Sequence, residues 1–341
     1  MDDQERHGAF ERRGLEPGVQ RQRIAAALRR ARSKVGLTQT EVAKAMDWST
    51  ATVIRVEAGT HKIRRVDLEE LLRLYKVSNH LRELLLDVHE DSRRESPYAA
   101  FGSAADVNYL IYLQYELSAY SVRNFEPMFV PGLLQTEEYA QTLLEIIEYP
   151  SPDKVDPLVD LRMTRQELLT GRQNPPPPEM HFLIDEAVIR RHVGGPAIMR
   201  RQLEWLKGYV QHNPRMTIQI IPRAKGLYRL CQTPYVLLEL PGAEYDEEPT
   251  GDFPELVLYV EGPLGELVIH EDVPQGRTDL PSPSEYLEVF MELTAGTATS
   301  ASETLRLLDD AIGDLSSSPK LPASEKTVPA TSRSERKSKP D

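Results

Sequence analysis

Chemistry in this sequence would have to come from two groups of side chains, one acidic and one basic. Asp185 and Glu186 are adjacent, with Arg190 and Arg191 about one helical turn further on. Paired carboxylates held at different pKa values are what general acid–base catalysis uses. With Trp205 as an apolar wall, Asp185 and Glu186 define a possible effector pocket; two surface carboxylates balanced by neighbouring arginines are the simpler account. His270, Glu271 and Asp272 read as acidic loop chemistry before a proline turn. Residues 244–255 hold six carboxylates, which fit a solvated loop first and a nucleic-acid mimic or a basic-partner site second. The sequence has no GxGxxG after a strand, no GxxxxGK[ST], no HExxH, no GxSxG and no CxxC pair. No catalytic residue, no metal site and no cofactor is therefore expected, and the chain is not read as an enzyme. The single cysteine, Cys231, cannot form an internal disulfide and reads as an ordinary thiol.

The basic group is concentrated near the N-terminus. Residues 21–82 carry 14 Lys and Arg against 6 Asp and Glu, a net of +8. Residues 83–313 carry 18 against 38, a net of −20, in a chain whose total is −12. That asymmetry points to a polyanion partner for the small basic block, because an acidic body repels phosphate. No apolar run approaches the roughly 18 to 20 residues of a membrane span, and the N-terminus has no apolar signal core. The expected location is the cytoplasm, with no membrane contact.

The elements that must position these groups follow from length and periodicity. A chain of 341 residues exceeds the roughly 100 to 200 that one core organises, so two domains are expected. Residues 1–20, polar with Gly14, Pro17 and Gly18, read as a flexible arm. Residues 21–90 read as an all-α domain of five short helices. Ile24, Ala27, Leu28 and Ala31 stripe the first, which Gly36 ends. Thr38 and Glu41 form a capping box for the second, which buries Val42, Ala43 and Met46. Asp47 and Trp48 turn the chain, and Ser49 caps a third helix marked by Val53, Ile54 and Val56 and stopped by Gly59. Asp67 is read as the cap of the fourth and Ser78 of the fifth. A linker over 91–102 leads to an acidic α+β domain over 103–312 with a mixed sheet, and a disordered tail over 313–341. Strands are expected at 180–184 and 216–221, a parallel pair around a helix at 196–212, then at 235–240, 256–260 and 267–270 as an antiparallel meander. Tyr109, Tyr112 and Tyr115 stripe the helix at 104–120, and packing is a better account of them than a ligand wall.

The segment GLTQTEVAKAMDWSTATVIRVEAG, residues 36–59, resembles the helix-turn-helix of phage-repressor-like (XRE-type) transcription regulators, with a lambda-repressor-like fold. Ala43 is small where two helices cross, Val53 and Val56 are apolar where the second packs on the first, and Asp47 stands where such motifs usually carry glycine. The resemblance implies that the second helix, residues 49–58, enters the major groove. Ser49, Thr50, Ala51, Thr52 and Arg55 would then face base edges, Gln39 would clamp phosphate, and Lys62 and Arg64 would follow the DNA backbone. Arg55 is the long bidentate-capable donor of that set.

The segments EPMFVPGLLQTEEYAQTLL, FLIDEAVIRRHVGG, RRQLEWL and MTIQIIP resemble the uncharacterised C-terminal domain of WhiJ-like, antitoxin-like actinobacterial regulators. The two resemblances together imply a sequence-specific, nucleoid-associated regulator that binds a palindromic double-stranded DNA operator as a homodimer. Its C-terminal domain would serve dimerisation and sensing of an effector or of a small protein encoded nearby. The alternative is a ligand-binding or enzymatic C-terminal domain that the basic module only targets.

Overall fold

The computed structural model describes residues 15–148, 151–171, 173, 176–242, 255–262, 265–270 and 281–317. The expected arm over 1–14, most of the acidic run, Glu271, Asp272 and the tail from 318 lie outside the described residues.

The N-terminal region is helical throughout. Helix α1 is Pro17–Lys34, α2 Gln39–Ala45, α3 Thr50–Glu57, α4 Arg65–Leu74 and α5 Asn79–Ser92. Two expectations need correction here. The arm does not extend to residue 20: Pro17 takes the first helical position, where its missing N–H costs nothing, and Leu15 and Val19 are buried. Asp67 does not cap α4, because the cap position lies three residues earlier, at Arg64, and Asp67 sits in the first turn accepting from the Arg64 guanidinium. Gly36 ends α1 with a φ of 74°, a left-handed conformation that a side chain would strain.

After α5 the chain turns through Tyr98, which is buried, to α6 (Val107–Ser118). Strand β1 (Ser121–Glu126), α7 (Glu137–Ile147), α8 (Val155–Thr170), β2 (Glu179–Asp185), α9 (Glu186–Arg190), α10 (Gly195–His212) and β3 (Met216–Ile221) follow. Then come β4 (Tyr235–Leu240), β5 (Glu255–Gly262), β6 (Gly265–His270), α11 (Pro283–Gly296) and α12 (Ala301–Ser317). The six strands form one mixed sheet in the order β3-β2-β1-β4-β5-β6. Strands β1, β2 and β3 are parallel, joined by helical crossovers, and β4, β5 and β6 continue antiparallel. The period of two sorts the side chains: Val236, Leu238 and Leu240 join the large core, while Tyr235 and Leu237 join Phe290 and Val289 of α11 on the other face.

Residues 313–317, expected in the tail, are helical. Ser300 and Glu303 bracket the start of α12, which runs through Gly313 to Ser317 and buries Leu308, Ala311 and Leu315. Along β3, Thr299 donates its N–H to the Ile220 carbonyl and accepts the Ile220 N–H on Oγ1, while Thr304 Oγ1 donates to the Ile218 carbonyl.

Within the large core lies a buried ion pair. Arg165 donates through Nε and Nη2 to the two oxygens of Glu116, at 2.7 Å each, and through Nη2 to the Tyr112 hydroxyl at 2.8 Å. The Tyr112 ring stacks on Tyr259 with centroids 3.9 Å apart, so the tyrosine stripe of α6 is core.

The helical region and the sheet domain share α1. Val19 belongs to the large core, whereas Ile24, Ala27 and Leu28 of the same helix belong to the core of α1–α5. Gly18 lies so close to Gln114 of α6 that a Cβ would meet its Oε1 at 2.5 Å, and its N–H donates to that oxygen at 2.7 Å. Arg23 donates to Glu255 of β5 at 2.7 Å and to the Pro241 carbonyl at 2.6 Å. Burial would raise the Glu255 carboxyl, but Arg23 and then His270 outweigh it and hold it at about 2, against an ordinary 4.5.

A carboxylate whose pKa is depressed by folding contributes stability above its unfolded pKa and loses it as pH falls through the folded one. Stability should therefore decline from about pH 4.5 toward about pH 2 partly through Glu255. Glu255→Gln should cost about 1–3 kcal/mol at neutral pH and make that acid decline shallower, as read from urea midpoints across the range.

Candidate nucleic-acid interface

The site is built on the angle between α2 and α3. Thr38 Oγ1 accepts the Glu41 N–H at 3.2 Å, while the Glu41 carboxylate accepts from the Thr38 N–H and the Thr38 hydroxyl at 2.8 Å each, two bonds that lower its pKa. The turn between the helices places Asp47 at a φ of 54°, and the Trp48 N–H closes it on the Ala43 carbonyl at 2.8 Å. Asp tolerates that left-handed backbone better than most residues. Val42 and Ala43 of α2 and Val53 and Val56 of α3 are all buried in the helical core, as their spacing predicts.

Glu57 ends α3 and fixes its angle from behind. The carboxylate is 3% exposed and accepts from Arg32 Nε at 2.6 Å, Arg32 Nη2 at 3.1 Å and Gln39 Nε2 at 2.8 Å. Its carbonyl accepts from Arg29. The Arg32 pKa rises through its hydrogen bond to Glu57, and burial lowers that of Arg29. Three helices thus meet at one buried carboxylate. Periodicity gives no sign of this network, since its arginines read as members of a basic block and Glu57 only as part of the motif's ending.

Seen from outside, α3 presents Thr50, Ala51, Ile54, Arg55 and Ala58 to solvent. At 100° per residue these positions span one continuous face of about 140°. The side chain of Arg55 has no carboxylate partner among the described residues. Ser49 and Thr52 are engaged with each other as the helix cap: Ser49 Oγ accepts the Thr52 N–H at 3.2 Å and lies 2.9 Å from Thr52 Oγ1. They stand at the N-terminal rim of the face and not across it.

The residues expected on phosphate divide. Lys62 is exposed. Arg64 is exposed but forms a two-bond pair with Asp67 at 2.6 and 2.8 Å, which raises its pKa. Gln39 is turned inward to Glu57. Several cations of the basic block are likewise internal: Arg21 donates to the Ser92 carbonyl and Arg23 to Glu255. Lys44, exposed on α2, is a further cation beside this face, and nothing in its spacing marks it out from the rest of the basic block.

The possible effector pocket is not assembled. Asp185 caps α9, accepting from the Ala187 N–H at 2.8 Å and from the Tyr228 hydroxyl at 2.7 Å. Glu186 is buried, accepting from Arg190 Nε at 3.2 Å and the Arg223 N–H at 3.1 Å. Glu186 is thus buried, and Asp185 is engaged by an amide and a hydroxyl, which departs from the account of two surface carboxylates balanced by neighbouring arginines. A depression is lined by Glu186, Ala187, Arg190, Arg191 and Arg223, and Trp205 is not part of it; Trp205 is half exposed on α10 and packs edge-on against Tyr209. Among the described residues no group of three or more His, Cys, Asp or Glu is placed to hold a metal ion. No described helix is long and apolar enough to cross a membrane.

Residues 110–310 match the family described as Domain of unknown function (DUF5753), and residues 23–85 match the one described as Helix-turn-helix domain. No curated protein and no solved structure gave a significant match. The helix-turn-helix match covers α2 and α3 and supports a DNA-binding regulator.

The geometry generates a contrast between two variants. Arg55→Ala should abolish selection of particular sequences from a random DNA pool while leaving the thermal midpoint unchanged, because its side chain is exposed. Lys62→Ala should weaken binding to all sequences alike; a changed sequence preference would show that Lys62 contacts bases.

Proposed function

The chain belongs to the DUF5753 family, whose match spans more than half its length, and from that premise we propose an XRE-type, antitoxin-like transcription regulator. It acts in the cytoplasm on the nucleoid, where α3 enters the major groove of a palindromic operator. The observation that carries the reading is the outward face of α3, which holds the exposed Arg55 guanidinium, without a carboxylate partner among the described residues, while Glu57 is clamped behind it. Guanidinium geometry suits the two major-groove acceptors of guanine, a contact worth about 1–3 kcal/mol of discrimination. One such helix covers only a few base pairs, so useful affinity calls for two copies about 34 Å apart, and the protein works as a homodimer.

The acidic sheet domain supplies dimerisation and senses a small molecule or small protein; it is not an enzyme and carries no cofactor. The engagement of Asp185 by a helix start and Tyr228, and of buried Glu186 by Arg190 and the Arg223 N–H, supports this reading over catalysis. The shared helix α1 supplies the mechanical connection by which such sensing would reach α3.

Selection of bound fragments from genomic DNA by the purified protein, followed by native mass measurement on the best site, tests the reading. The expected result is a short palindrome holding two copies. Binding of every fragment alike would overturn sequence specificity, and one copy per site would overturn the dimer. Affinity should fall with salt along a log–log line whose slope gains about 0.9 per phosphate contacted. Lys44→Ala should flatten that slope by about the same amount if Lys44 is such a contact.

A further inference from the structure

The centre of the exposed face of α3 is apolar. Thr50 and Arg55 stand at its two margins, and Ile54 lies between them with 48% of its surface exposed, flanked by Ala51 and Ala58. Neighbouring Val53 and Val56 fill the core on the opposite side, so Ile54 is not needed for packing. A β-branched side chain in a helix is held in essentially one χ1 rotamer, so Ile54 projects as a fixed apolar probe. It can neither donate nor accept a hydrogen bond, and placing it on phosphate would desolvate a charge without return. The major groove offers one prominent apolar partner, the C5-methyl of thymine.

We propose that Ile54 is a specificity-determining residue that reads a thymine methyl in each half-site, next to the base pair contacted by Arg55. The inference rests on the DNA-binding reading given above and adds to it the base class at one position. Hydrogen-bond readout and methyl readout then sit on adjacent residues of one helix: Arg55 takes acceptors, and Ile54 takes the group that no acceptor pattern describes. Ala51 and Ala58 leave room on either side for the methyl to approach.

The test uses the full chain and the best selected duplex, with each thymine replaced in turn by deoxyuridine, which removes only the methyl. Burial of one methyl is worth about fourfold in affinity. One thymine in each half-site should lose about three- to tenfold on replacement with the wild-type protein. With Ile54→Ala the same replacement should matter less than about twofold, while Arg55-dependent discrimination persists. Alanine suits an exposed helical site, and an unchanged thermal midpoint confirms folding. Insensitivity of the wild type to every deoxyuridine, or an equal loss in Ile54→Ala, would overturn the methyl contact and leave the DNA-binding reading standing. Failure of the wild type to select any sequence would overturn both.

Discussion

One helix serves two hydrophobic cores, and the rest of the molecule is arranged around that constraint. The start of α1 is packed into the sheet domain through Val19 and the preceding Leu15, and its later turns carry Ile24, Ala27 and Leu28 into the helical region. Polar contacts repeat the division. Arg23 holds Glu255 of β5, while two turns further on Arg29 and Arg32 hold Glu57 at the end of α3. An α-helix is stiff over this length, so the position of β5 and that of the outward face of α3 are fixed to one rod. Gly18 lets the Gln114 amide of α6 close on that rod, where a Cβ would displace it.

The sheet domain has its own internal fixture in Arg165 and Glu116. Both are buried, and the guanidinium is met by the two carboxylate oxygens, by Tyr112 and, at 3.3 Å, by Tyr109. Such a pair adds little net stability over apolar residues of the same volume, because desolvation offsets attraction. What it does is tie α8 to α6 in one register, and α6 is the helix on which α1 rests. The charges that govern the architecture are therefore mostly hidden, and the conspicuous basic block is in part an internal scaffold.

Much of this was legible in the sequence, and the reasons for success and failure are physical. The capping box at Thr38 and Glu41, the turn at Asp47 and the buried Ala43, Val53 and Val56 follow from local rules that act within a few residues. Strands β2 to β6 were legible because each has a run of apolar or alternating residues. Strand β1 was not, since Arg123 and Asn124 interrupt its pattern; Arg123 pairs with Glu239 on the neighbouring strand, a residue distant in sequence. The same limit hid the partners of Gln39 and Glu57, whereas Arg64 pairs locally with Asp67, three residues on. Exposure is predictable from period, but whether an exposed cation is already paired depends on contacts across the fold. The start of α1 was missed because Gly14, Pro17 and Gly18 resemble a loop, although proline at a first helical position is favourable. In α12, Gly313 read as a terminus although the apolar stripe continues to Leu315.

The outer side of β3 bears on how copies of this protein can meet. A terminal strand with open backbone groups is a template onto which another chain can add a strand. Here the Ile220 N–H and carbonyl are both taken by Thr299, and the Ile218 carbonyl by Thr304. The entrance to α12 thus seals that border of the sheet with its own hydroxyls and amide. A continuous intermolecular sheet cannot grow from this side without first unwinding the start of α12, so an assembly must be made through side chains, and aggregation by strand addition is denied one of its two openings.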